Sequence, residues 1–270
     1  MKTVISSFLL GVIILNSCVK DTVSQLEGHW IDENYPTTYH QMPPSVINNL
    51  TALYLKDKDS CFQTSLNTYG FCASSANYNF NCEQPCHSVS KQQAHDMTMD
   101  FLAKNKNFTG TSDTSLTKII SYFTFGMSSY CNRDSTTWNV TIGNQVVKGL
   151  KIEGTGIYLR INHDGVREVT GNWYPVVSIP ANDALTYEMA KAKLIGKKFD
   201  FMCWSTIHIE IDQNTQWVEP QSRKIIYPFY RNNSIELHVV WVLDTGGFSF
   251  YVDVMNGEIL GSFMNFVCAL

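Results

Sequence analysis

The chain has 270 residues, is 44% hydrophobic and 13% aromatic, and carries a formal net charge of −4. That composition supplies a full core and excludes an intrinsically disordered chain. The slight negative charge leaves no broad basic surface, so nucleic acid is not an expected partner.

Met1 and Lys2 give a short cationic start. Val4, Ile5, Phe8, Leu9, Leu10, Val12, Ile13, Ile14 and Leu15 follow as an apolar core, broken only by Ser6, Ser7 and Gly11. This is the order of a secretory signal, and it is too short for a comfortable transmembrane helix. Cys18 stands directly after the small Ser17, with Leu15 three positions earlier. That arrangement resembles the lipobox of bacterial lipoproteins. The resemblance implies removal of residues 1–17 and lipidation of the Cys18 thiol, with palmitate-type acyl chains holding the protein on a membrane of the cell envelope. An ordinary signal peptide that ends near a cysteine, and hence a secreted chain, is the alternative. No later apolar run approaches the length needed to cross a bilayer.

Residues 18–45 read as a polar tether, because Pro36, Pro43 and Pro44 interrupt regular structure. Residues 46–89 contain one predicted helix, 46–55, and then a cysteine-rich stretch. Cys61, Cys72, Cys82 and Cys86 lie there among Asn, Ser, Tyr and Phe, with few aliphatic residues. Such a stretch needs stapling, and disulfides are the default in an exported chain. Cys131, Cys203 and Cys268 complete the candidates. The seven are odd in number, so one stays free, pairs between chains, or is buried. Cys82, Cys86 and His87 also have metal-ligand side chains, which Cys61 and Cys72 would complete, but the spacing is irregular and the compartment oxidising. Asn49, Asn107, Asn139 and Asn232 head Asn-x-Ser/Thr sequons, which support the ordinary-secretion alternative.

From residue 90 the chain becomes regular. Ser90 and Gln93 form a capping-box pattern, and Ala94, Met97, Phe101 and Leu102 give a helical stripe over 90–104. Residues 138–142 alternate as a strand, as do Leu150 with Ile152, and Ile157, Leu159 with Ile161. Asp164 and Gly165 predict a tight I′ hairpin turn, from which 166–169 returns. A second stretch repeats the scheme. Thr186 caps a helix carrying Tyr187, Ala190 and Leu194, which Gly196 ends. Strands follow at 207–211, 235–243 and 248–254, and Asn256 with Gly257 predict a second I′ turn before 258–260 returns. Ser90 to Gly165 spans 75 positions and Thr186 to Gly257 spans 71. The expected fold class is therefore α+β: two helix-on-antiparallel-sheet units in tandem, 90–180 and 181–270, behind a loop-rich cysteine segment. Two unrelated α+β stretches with common turn chemistry are the alternative.

The tail from Phe250 through Asp253, Asn256, Gly257 and Glu258 to Gly261 resembles the closing hairpin of PepSY domains, which read apolar-Asp-apolar-x-(Thr/Asn)-Gly-(Glu/Lys)-apolar-apolar. Residues 235–243 look like the strand before it, and Leu185, Thr186 and Ala190 like the family's helix opening. The first stretch is similar to the fungalysin/thermolysin propeptide module, through 149–154 and 166–174. The resemblance covers about 90–264. It implies a non-enzymatic module that binds a protein or peptide, with restraint of a peptidase among its roles.

The residues themselves show no His-Glu-x-x-His, no Gly-x-Ser-x-Gly and no Gly-x-Gly-x-x-Gly. No catalytic set and no cofactor are expected. Asp253, Asn256, Gly257 and Glu258 are the candidate binding residues, as an acidic recognition edge; alternatively Asp253 ties down the turn and Glu258 is solvated. Trp173, Tyr174 and Trp241 are either an aromatic binding face or core. Two functions of different class follow: a binding lipoprotein of the cell envelope, or a secreted enzyme with a metal or thiol in the cysteine-rich segment.

Overall fold

The structure is a computed structural model that describes residues 23–26, 29–74, 88–110, 119–125, 137–203 and 205–265. It opens with three short strands, β1 (Val23–Leu26), β2 (His29–Asp32) and β3 (Thr37–His40). Helix α1 (Pro44–Leu55) follows, with Pro44 in its first turn, where the missing N–H costs nothing. Then come β4 (Thr64–Leu66), β5 (Cys72–Ser74), α2 (Lys91–Lys104), the one-turn α3 (Lys106–Thr109), β6 (Ile119–Phe125) and β7 (Thr137–Ile142). A small hairpin of β8 (Val146–Val147) and β9 (Leu150–Lys151) precedes β10 (Gly156–Asn162) and β11 (Gly165–Asn172). The rest comprises α4 (Tyr187–Leu194), β12 (Lys198–Met202), β13 (Thr206–Glu210), β14 (Lys224–Arg231), β15 (Ser234–Asp244), β16 (Phe248–Asp253) and β17 (Ile259–Met264). The fold is α+β, and its named strand pairs are antiparallel.

A four-stranded sheet runs β11-β10-β7-β6. Helix α2 lies on it and buries Ala94, Phe101 and Leu102 against Val140, Ile142, Leu159 and Ile161. The Ser90 hydroxyl accepts the Gln93 N–H and the Gln93 side chain accepts the Ser90 N–H, so both halves of the predicted capping box form. A seven-stranded sheet runs β1-β2-β3-β15-β16-β17, with β14 on the other edge of β15. Helix α4 packs Ala190 and Leu194 against Leu243, Phe250 and Val252 of this sheet.

The sequence predicts a tether over 18–45, but 23–40 forms three strands of the large sheet. Prolines punctuate this arm without preventing pairing, since β2 and β3 are four residues each and alternate buried and half-buried positions. Ile31 and Tyr39 share a core with Phe71, Tyr174, Ile235 and Leu237, which welds the arm to both the cysteine-rich hairpin and the C-terminal sheet. β3 and β16 lie end to end along one edge of β15, pairing with Ser234 to Leu237 and Val240 to Asp244.

The turns also differ from expectation. Gly257 has φ +74 but Asn256 stays at negative φ, so 254–257 is a longer loop and not a two-residue I′ turn. At 163–165 only Gly165 has positive φ. Two two-residue turns have both φ positive: Lys148 and Gly149, φ 47 and 82, between the paired Val147 and Leu150, and Asn232 and Asn233, φ 48 and 59, between the paired Arg231 and Ser234.

Candidate functional site

Two places gather polar side chains: the final hairpin that the sequence singles out, and a cleft beside α2. In the hairpin, Asp253 is 1% exposed and all its lone pairs are in use. Oδ1 accepts the N–H groups of Met255 (2.7 Å) and Asn256 (2.9 Å). Oδ2 meets His238 Nδ1 at 2.7 Å and accepts the Tyr35 hydroxyl at 3.0 Å. Tyr35 in turn accepts the Val239 N–H at 3.0 Å, filling the gap in the β15 ladder between β3 and β16. His238 Nε2 lies 2.9 Å from Glu236, Glu236 lies 4.0 Å from Arg231, and Arg231 pairs with Glu258.

This is a chain of alternating charge. Burial alone would lower the His238 pKa, but hydrogen bonds to Asp253 and Glu236 raise it above the ordinary histidine value. Burial alone would raise the Asp253 pKa, but His238, the Asn256 and Met255 amides and Tyr35 bring it below the usual carboxylate range. Of the two readings of Asp253, the geometry fits the one in which it ties down the turn and not the acidic recognition edge. Asp253 is a buried clasp that ties the turn, the N-terminal arm and β15 together. Asn256 Oδ1 accepts the Glu258 N–H at 2.7 Å, and Glu258 is an ion-pair partner at the surface. Gly257 is required by its conformation, because a Cβ there would also meet Leu185 Cδ2 at 2.9 Å.

The aromatic candidates separate. Tyr174 is fully buried in core, Trp173 packs against the core under α2, and half-buried Trp241 donates its indole N–H to the Leu185 carbonyl at 2.9 Å. Cys72 is not a disulfide cysteine. It is a free, buried thiol, 3.8 Å from the Tyr54 hydroxyl and 3.5 Å from the Phe108 carbonyl oxygen, and burial pushes its pKa up to about 11. Its place inside the core, away from an exposed loop, explains why it is unpaired. Cys61 and Cys203 are disulfide-bonded. Cys18, Cys82, Cys86, Cys131 and Cys268 lie outside the described residues. No group of three metal-ligating side chains occurs among the described residues, and no helix there is long and apolar enough to cross a membrane.

The cleft, which the sequence did not announce, has a volume of about 510 Å³. The end of α1 with the following loop, the outward face of α2, α3 and the turn between β10 and β11 wall it. Phe62 stacks on Phe101 with centroids 5.8 Å apart, and Phe108 packs on Tyr54 at 4.5 Å, making an aromatic base. Lys58 reaches over this base. Its ammonium lies 5.4, 5.7 and 5.6 Å from the Tyr54, Phe62 and Phe101 centroids and donates to Asn105 Oδ1 at 2.9 Å. Burial lowers its pKa, against the nearby Asp57. Arg167 closes one wall, held by Asp59 and Asp164 at 2.6 Å each. The arrangement offers apolar and charged recognition surface.

Comparison with known proteins adds little. No family model matches the chain, and no curated protein does. Among solved structures it is similar to the Bacillus megaterium YpeB C-terminal domain, at a TM-score of 0.31 and 10% identity, over 83% of this chain and 98% of that one. A likeness at that level carries no functional conclusion.

Proposed function

We propose that this chain is a non-enzymatic lipoprotein of the cell envelope, anchored through Cys18, whose folded body binds a segment of a protein partner. The observation that carries this reading is the 510 Å³ cleft: an open site with an aromatic base and a charged wall, built from three separate stretches of chain. Its two most buried cations already have partners, Lys58 in Asn105 and Arg167 in two carboxylates, as suits recognition better than proton transfer. We read α2 with β6, β7, β10 and β11, and α4 with β14, β15, β16 and β17, as two copies of one helix-plus-meander unit of the PepSY-like kind. The strand orders β11-β10-β7-β6 and β14-β15-β16-β17 support that pairing. Restraint of a peptidase is the role the PepSY resemblance favours.

The test is site-specific photocrosslinking in the native envelope, with the reactive group at Leu53, which lines the cleft and is 61% exposed. A discrete protein adduct is expected from Leu53 and not from Met255 on the final hairpin. Adducts from Met255 alone, or turnover of a peptide by the purified protein that is lost on mutating one histidine or cysteine, would overturn the reading.

A further inference from the structure

Resting on the reading of the cleft as a binding site, we infer that its ligand is a peptide segment in which apolar side chains alternate with arginine or lysine. The argument lies in how charge is layered there. Arg167 is committed within the wall: Nη1 meets Asp59 and Nη2 meets Asp164, each at 2.6 Å, and Nε donates to Asn162 Oδ1 at 3.0 Å. Lys58 points inward over the aromatic base and onto Asn105. The carboxylates stand further out. The Asp59 side chain is 60% exposed and Asp164 is 37% exposed, against 10% for Arg167 between them, and Asp57 and Asp100 are exposed.

Lys104 is the one outward cation among the described lining residues, and it leans on Asp100 at 2.7 Å in an exposed i,i+4 pair. Such a pair contributes little and exchanges easily for a guest cation. The rim therefore presents four carboxylates, of which Asp59 and Asp164 pair inward with Arg167 and Asp100 pairs with Lys104, so its outer surface is acidic with one exposed ammonium. An incoming carboxylate is repelled and an incoming cation is drawn in. Beneath the rim, exposed Leu53 and half-buried Met97 and Val166 leave apolar surface open. Leucine-sized side chains cover that surface, and the stems of arginine or lysine extend it.

The experiment is calorimetric titration of the full mature chain with three acetylated, amidated hexapeptides, alternating leucine with arginine, leucine with glutamate, and alanine with arginine. The leucine–arginine peptide should bind saturably and about tenfold or more tighter than either of the others. The double variant Asp57→Asn, Asp100→Asn changes only exposed side chains, so circular dichroism should be unaltered while affinity falls about fivefold or more. Equal or tighter binding of the leucine–glutamate peptide, no binding of any peptide, or an unchanged affinity in the double variant would each overturn the inference. A Leu53 adduct in the envelope combined with failed peptides removes the ligand class and leaves the binding reading. Peptide binding with no Leu53 adduct removes the envelope reading and leaves the ligand class.

Discussion

The β10–β11 hairpin and the β16–β17 hairpin are each fastened by a cation set between two carboxylates, and the two fastenings differ in burial and in chemistry. Arg167 sits between Asp59 and Asp164, whose outer faces are in water. His238 sits between Asp253 and Glu236, of which Asp253 is wholly enclosed. A guanidinium stays charged at any working pH, whereas an imidazole does not. The central charge of the first fastening is thus constant, although His163 also pairs with Asp164 at 2.8 Å, and the hairpin is clamped along its edge by Gln63 and Thr64, which hydrogen-bond to Arg167 and Val169. The second hairpin is joined to the N-terminal arm by the Tyr35 hydroxyl on Asp253, and Asp253 is held in turn by a group that can discharge. The central cation of the first fastening keeps its charge, whereas that of the second can lose it.

The sharpest way to break that comparison is to remove the enclosed carboxylate. Asp253→Ala leaves His238 facing one carboxylate instead of two and strips Met255, Asn256 and Tyr35 of their acceptor. The expected loss is about 3–5 kcal/mol, read from urea unfolding. Arg167→Met should cost less, about 2 kcal/mol, because Asp59 and Asp164 can be hydrated once the guanidinium is gone. If the two variants are equally destabilised, or Arg167→Met is the worse, the difference in burial is not what separates the hairpins.

The pH dependence follows from the directions of the shifts. The folded His238 pKa lies above the ordinary value, so its contribution is complete below about pH 6.5 and is lost as pH rises through the folded value. Asp253 is depressed, so its contribution is complete above about pH 4 and is lost as pH falls through the folded value. His29 opposes His238. Its Nδ1 meets the Tyr69 carbonyl at 2.7 Å while buried Nε2 has no partner among the described residues, and burial lowers its pKa. Its stabilisation is present above about pH 6.5 and is lost on acidification. The clean measurement is therefore the stability difference between the natural protein and His238→Gln across pH 6 to 9. It should shrink as pH rises. A difference that grows with pH would mean His238 is held neutral.

What the sequence made legible was whatever carries a local period or a local hydrogen bond. Ser90 with Gln93, Thr186 and the alternation in β10 all reappear, because two-residue periodicity and capping depend on neighbours in the chain, whereas β15 forms as a strand but is buried continuously from Leu237 to Val240. β14 was hidden by Pro228, which discourages reading a central strand; β14 in fact lies on one side of β15, with Pro228 opposite Leu237. The arm β1 to β3 was hidden because its partner strand, β15, lies nearly 200 positions away. The Asn232–Asn233 turn had a visible signal, but its residues registered only as a sequon. The cleft left no trace at all. Its walls stretch from Leu53 to Arg167, and only tertiary packing brings Lys58 over Phe101.

The smallest expected effect compares the starts of the two helices. At α2 both halves of the capping box form, so Ser90→Ala removes the acceptor for the Gln93 N–H and frees the reciprocal side-chain contact. At α4 the Thr186 hydroxyl accepts the Met189 N–H at 3.2 Å, and no returning side chain completes the box because Met189 occupies that position. Ser90→Ala should therefore cost about 1 kcal/mol and Thr186→Ala about half that. Thermal melts of the two variants against the natural protein are sufficient. Replacing Met189 by Glu supplies the missing reciprocal partner on a side chain that is half exposed, and should recover stability by a few tenths of a kcal/mol. If Met189→Glu destabilises instead, α4 is held by its packing on Leu243 and Phe250 and its cap contributes nothing measurable.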